Sequence, residues 1–326
     1  MSKEDSKKLS YQEYLNKLNK SEITSVLEVF QLPYKKNLKK QIYIDQIIEN
    51  LSKIVDKTFD IFQQDEYSNI KLLVKKKGKI TIRINYLLQA FLENLKRNHL
   101  IIELSPKNYY MPNELLTIYR NKIKNKTPGI KAKINTKEYA LILGHIEAYG
   151  VIDFSFFYKN YAKQYKLLED QALERLKFLS AFYDDFHIFT DKKKTYIANK
   201  KLKSIRECNK ILNQKGEYAI YTNEELMNIH DFTYMNQYKS YKKLIKFIKK
   251  NYNVEKRNFK IINNFVLNPF ITSYQLNKEA GIKELSSLID LYFEFNNQKH
   301  KNKFIDLIEK ITVDYPAWEL KGGTRK

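Results

Sequence analysis

The 326-residue sequence has one cysteine (Cys208), one tryptophan (Trp318), eight glycines and six prolines. A single cysteine excludes an intramolecular disulfide and any thiolate-rich zinc site, and it fits a reducing cytoplasm. Sparse Gly and Pro accompany an apolar periodicity that is mostly helical. No window approaches 18 uncharged apolar residues, so nothing reads as a membrane span. The first residues, Met-Ser-Lys-Glu-Asp-Ser-Lys-Lys, have no apolar signal core. Gly-rich phosphate loops and Gly-x-Ser-x-Gly are missing, and the five histidines (99, 145, 187, 230 and 300) stand at no metal-ligand spacing. The expectation is a cytoplasmic protein with no cofactor, no metal and no catalytic residue.

Acidic residues are also short in supply. Lys and Arg number 59 against 37 Asp and Glu, a formal charge of +22. Residues 119–139, 192–210 and 239–260 carry net excesses of six, seven and eight, so the rest of the chain is close to neutral. Basic stripes on a balanced globule are the footprint of a polyanion binder, here nucleic acid. Arg occurs only at 83, 97, 120, 175, 206, 257 and 325. A lysine-dominated surface points to phosphate contact more than to base reading, for which Arg is the commoner residue.

Length favours two or three domains. Tyr14, Leu15 and Leu18 open a short helix. Ser21 reads as the N-cap of a second, with Ile23, Val26, Leu27 and Phe30 on one face, ended by Leu32-Pro33. Ile44, Ile47, Ile48 and Leu51 mark a third. A helix over Phe59–Lys75, a β-like run Ile80–Ile82, a helix carrying Leu88, Phe91, Leu92 and Leu95, and a hairpin turning at Ser105-Pro106-Lys107-Asn108 follow. Pro128-Gly129 interrupts any helix in the basic stretch. The order then recurs: helix Tyr139–Tyr149, a stop at Gly150, helix Phe154–Tyr165 capped by Asp153, helix Leu168–Tyr183, and a hairpin turning at Asp191–Lys194. Helices plus a two-stranded wing are the winged-helix pattern, a variant of helix-turn-helix. The expected fold is mainly α: a helix-extended-loop-helix module (1–56), a winged-helix-like domain (57–118), a basic linker (119–135), a second winged-helix-like domain (136–202) and a C-terminal helical domain (203–326) ending in a frayed polar tail.

The run Ile23–Phe30, Leu32, and Lys39-Lys40 leading into Tyr43, Ile44 and Ile47 resembles the small Rho-termination-factor N-terminal and SAP-type modules. That resemblance implies DNA or RNA binding, with the paired lysines opening the second helix. The loop departs from the pattern, with Tyr34-Lys35-Lys36-Asn37 where small residues are usual. The whole layout, with its terminal Trp318-Glu319-Leu320-Lys321-Gly322, resembles a loosely defined group from Gram-positive bacteria and their mobile elements. Members often end in a zinc-binding tail; this chain has no such cysteines, so no metal is carried over.

The candidate nucleic-acid contacts are therefore Lys35, Lys36, Lys39 and Lys40; Lys75, Lys76, Lys77 and Arg83; Gln89 and Arg97 on the proposed recognition helix; and Lys107, Lys192, Lys193 and Lys194 at the two wing tips. The leading expectation is a non-enzymatic nucleic-acid-binding regulator of transcription or accessory factor, with duplex DNA preferred over RNA and no membrane partner. The alternative is a mobile-element protein that inhibits or recruits a nucleic-acid enzyme. A metal-dependent nuclease built on Asp184-Asp185, or on Asp314, Glu319 and Lys321 as two carboxylates and a lysine, is the remote one.

Overall fold

A computed structural model describes residues 9–252, 259 and 262–325. The chain is mainly helical, with two three-stranded antiparallel sheets, and divides into two compact units. The N-terminal unit comprises residues up to Tyr139 together with Phe178–Tyr183, and the C-terminal unit comprises Ala140–Lys177 and Asp184–Lys326.

The N-terminal unit begins with α1 (Tyr11–Lys17), α2 (Lys20–Val29) and α3 (Lys40–Glu49). Asn19 rather than Ser21 caps α2: its Oδ1 accepts the Glu22 N–H at 3.0 Å, and the Glu22 carboxylate accepts the Asn19 N–H at 2.6 Å. That reciprocal box satisfies two orphan donors, and Ser21 only donates into it. α4 (Leu51–Ile61) and α5 (Gln64–Lys75) replace the continuous helix expected over Phe59–Lys75. The break frees the Phe62 carbonyl, which accepts a hydrogen bond from buried Asn135. β1 (Lys79–Thr81), α6 (Tyr86–Arg97), β2 (Ile102–Ser105) and β3 (Asn108–Tyr110) follow, with strand order β1-β3-β2. α7 (Asn113–Lys122) packs on α4, where the Thr58 and Tyr119 hydroxyls meet at 2.9 Å.

The break expected at residue 56 lies inside α4. Ile23, Val26, Leu27, Phe30, Ile44 and Ile47 do bury together, but Phe30 continues into Phe178 and Phe182, and Phe182 into Phe62. Aromatic contact, invisible to local periodicity, joins these helices to the following block. The expected basic linker is likewise helix: α8 (Thr127–Tyr149) starts in it, with Pro128 in the first turn, where a missing N–H costs nothing.

The C-terminal unit holds the rest of α8, β4 (Val151–Asp153), α9 (Phe154–Tyr165), the start of α10 (Glu169–Tyr183), β5 (Phe186–Asp191) and β6 (Lys194–Asn199), with strand order β4-β6-β5. Asp153 caps α9 as expected, accepting the Ser155 N–H at 2.8 Å. α11 (Ile205–Leu212), α12 (Asn223–His230), α13 (Lys239–Asn251), α14 (Asn268–Leu276), α15 (Lys278–Tyr292) and α16 (Gln298–Glu309) complete it.

Residues 315–318 are core, and the polar tail expected to fray after Gly322 is tied back by Arg325, which donates to the Thr312 carbonyl and to Gln275. Trp318 is 1% exposed and packs with Val151 and Ala198 of the second sheet, Leu202 just beyond it and Cys208 of α11. Its indole Nε1 donates to the Glu147 carbonyl at 2.9 Å, satisfying an acceptor in the last turn of α8. The Lys321 carbonyl accepts from the Ala219 N–H, the Tyr221 hydroxyl donates to the Gly322 carbonyl, and Arg325 clasps both Glu319 oxygens.

Fully buried His145 also sits in this unit, its Nδ1 2.8 Å from the Leu141 carbonyl and its ring 4.9 Å from Phe157. Burial lowers its pKa from 6.5 to about 4. The unfolded chain therefore takes up this proton first, so the neutral histidine's contribution is complete above about pH 6.5 and is lost as pH falls toward 4. At 1.36 kcal/mol per pH unit that is about 3 kcal/mol. His145→Phe should flatten the difference in stability between pH 7 and pH 4.5, measured by denaturant unfolding. An unchanged difference would contradict this assignment.

Candidate nucleic-acid interface

Both expected hairpin turns are present and exposed. In the N-terminal unit, Pro106 and Lys107 join β2 to β3, with Lys107 at φ 63°. The Ile82 N–H donates to the Lys107 carbonyl at 3.0 Å, which sets Arg83 beside this turn. Lys75–Lys77 lie at the other end of β1, in a left-handed helix terminus: Lys77 N–H bonds Val74 and Gly78 N–H bonds Leu73. Three lysines there complement the negative end of α5 as well as facing solvent.

In the C-terminal unit, Lys192 (φ 46°) and Lys193 (φ 67°) form the two-residue turn between β5 and β6. Positive φ at both positions is the primed turn whose twist matches a hairpin, usually filled by Asn-Gly. Lys194 already belongs to β6 and stands opposite Asp191, so Lys192 and Lys193 carry the unbalanced charge of the tip.

The other candidates divide. Lys35 and Lys36 are exposed on a loop fastened by Tyr43, whose hydroxyl donates to the Lys35 carbonyl and accepts the Leu38 N–H. Lys39 is exposed, but Lys40 donates to the Asn16 carbonyl at 2.6 Å and is half-buried. Arg97 does not reach outward as a base reader: its Nη2 donates to the Phe182 carbonyl at 2.6 Å and to Asn94. Gln89 is half-exposed on α6. Glu93, on the same helix, is held by Lys96 at 2.8 Å and by the Tyr109 hydroxyl, which blunts its repulsion of phosphate.

Ion pairing separates the three basic stretches. In the first, Lys122 pairs with Asp56 and Lys131 with Asp60, both at 2.5 Å. In the second, Lys200 meets Asp185, and Lys201 is bound by Glu284, Ser273 and the Pro269 carbonyl. In the third, α13 carries Lys239, Lys242, Lys243, Lys246, Lys249 and Lys250, all exposed, with no acid in the helix and no ion pair to any described residue. Three of the Lys–Lys pairs stand at i,i+4, each destabilising by about 0.2–0.5 kcal/mol. Residues 253–258 and 260 of that stretch lie outside the described residues. Tyr241, Leu244, Phe247 and Ile248 bury the opposite face of α13. Along it runs an open groove of about 520 Å³ lined by Tyr241, Lys242, Ile245, Lys246, Lys249 and Lys250. None of these lysines was named from the sequence; projecting the basic stretch onto a helical wheel is the signal that finds them.

The acidic constellations are committed elsewhere. Asp184 follows α10 in a left-handed conformation, φ 56°, and Asp185 pairs with Lys200. Asp314 is buried and accepts from Ser240, Glu319 pairs with Arg325, and Lys321 donates to the Gly216 carbonyl over the Tyr218 ring. Among the described residues no group of three His, Cys, Asp or Glu side chains could hold a metal ion, and no helix is long and apolar enough to cross a membrane. No family model, curated protein or solved structure matches this chain.

Proposed function

We propose that this protein binds nucleic acid, duplex DNA in preference to RNA, mainly through phosphate contacts, as a non-enzymatic cytoplasmic regulator or accessory factor. The observation that carries this reading is the turn Lys192-Lys193. A non-glycine residue in the left-handed region costs roughly 1–2 kcal/mol, so two lysines there are retained against a local preference. Neither has an ion pair among the described residues. The strand orders β1-β3-β2 and β4-β6-β5 support reading both blocks as winged-helix-like, with the hairpins as wings. Lys35 and Lys36 then give the Rho-like module a second contact. The first turn of α10, with exposed Glu169 and Asp170, would repel phosphate, so the second block contacts its ligand by the wing.

The double substitution Lys192→Asn, Lys193→Gly tests this. It should stabilise the hairpin by about 1 kcal/mol while weakening duplex binding at 0.15 M salt. A variant that is more stable and binds unchanged sinks the wing contact.

Ile84 (85% exposed) and Leu104 (59%) favour a second reading, a protein-interaction factor from a mobile element that inhibits or recruits a nucleic-acid enzyme. A partner protein captured equally well after nuclease digestion would favour it.

A further inference from the structure

We infer that the α13 groove is the principal anchoring site for a nucleic-acid backbone, held by Lys242, Lys246, Lys249 and Lys250. The inference rests on the nucleic-acid reading above and names the site that dominates it. Lys242, Lys246 and Lys250 recur every fourth residue, so at 1.5 Å per residue they form a ladder about 12 Å long on one side of the helix. A line of evenly spaced charges fits successive phosphates of one strand rather than one isolated anion. The stretch is singled out by what it lacks. Four lysines of the other two stretches, Lys122, Lys131, Lys200 and Lys201, are bonded to Asp56, Asp60, Asp185 or Glu284, whereas none of the six on α13 has an ion pair to a described residue and the helix repels itself. A bound polyanion supplies that relief. Half-exposed Ile245 and the buried Tyr241 give the groove an apolar floor against which sugars can lie. Helix-end complementarity accounts for Lys249 and Lys250 in the last turn but not for Lys242 and Lys246.

The experiment uses the full chain and a variant with Lys242, Lys246, Lys249 and Lys250 all changed to Gln. Fluorescence anisotropy is read with a labelled 20-base-pair duplex and a labelled 20-nucleotide single strand, and with tripolyphosphate as competitor. Equal helicity and an equal or higher melting temperature show that the variant is folded, since the substitutions remove like-charge pairs. The expected result is at least tenfold weaker binding to the labelled strands at 0.15 M salt, with the salt slope shallower by about three. Wild type that binds while the variant binds equally overturns the groove assignment and leaves the proposed function standing. Wild type that binds neither strand overturns both. Calorimetry that shows tight binding of tripolyphosphate where neither strand binds identifies a free polyphosphate as ligand and likewise overturns the assignment.

Discussion

Replacing Trp318 with Ala is expected to cost the C-terminal unit about 3–5 kcal/mol, the range for emptying a buried aromatic site. The indole packs in one buried cluster with Val151 and Ala198 of the second sheet, with Leu202, and with Cys208 of α11. It also supplies the donor for the Glu147 carbonyl, which the substitution leaves buried without it. A loss of this size lowers the melting temperature of a unit this large by roughly 10 °C. Circular dichroism melts of the two proteins decide it. A drop of only 1 or 2 °C would mean that the terminal segment is an ornament rather than part of the core. Trp318→Phe, which keeps most of the apolar contact but not the donor, should fall between the two.

Gly150 sets the second large effect. Its φ is +71°, and a Cβ built there would lie 2.4 Å from Cδ2 of Trp318. Gly150→Ala therefore combines left-handed strain of about 1–2 kcal/mol with an overpacking cost of about 1–3 kcal/mol. Gly216 provides the control, because its φ is +106° but nothing lies within 4 Å of its Cβ position. Gly216→Ala should show the strain alone. Since Trp318 is the only tryptophan and is buried, its emission reads the result directly. A red shift in the Gly150 variant and none in the Gly216 variant is the expected pair. Identical destabilisation by the two would show that the contact with Trp318 contributes nothing.

These two residues also mark where sequence reading ended. α9 was legible to the residue because Asp153, a strong cap, stands before an apolar face and Gly150 closes the helix before it. The hairpin turns were legible because Pro106 and the polar run Asp191–Lys194 separate β-like segments. Trp318 was not, since a lone aromatic among Pro, Glu and Gly carries no periodicity, and its partners Val151, Ala198 and Leu202 lie more than a hundred residues away. Phe30 and Phe182 escaped for the same reason, so the N-terminal helices looked self-contained. Pro128 reads as a breaker in the sequence but stands in the first turn of α8, where proline is tolerated. Within the candidate interface, charge runs located the basic stretches, but pairing decided among them. Lys40 and Arg97 are tied to backbone carbonyls, a fate that composition cannot show, whereas the α13 lysines are exposed and without ion pairs among the described residues.

The central claim is that unpaired lysines hold a polyanion by its phosphates, and salt dependence reads that most directly. The wild-type association constant for a mixed-sequence 20-base-pair duplex should be measured from 0.05 to 0.3 M salt. With about six phosphates neutralised, log K should fall with log salt at a slope of roughly −5, similarly for unrelated sequences. Changing Lys192 and Lys193 to Ala should flatten that slope by up to about two units. A wild-type slope near zero, or binding weaker than millimolar throughout, would contradict the account.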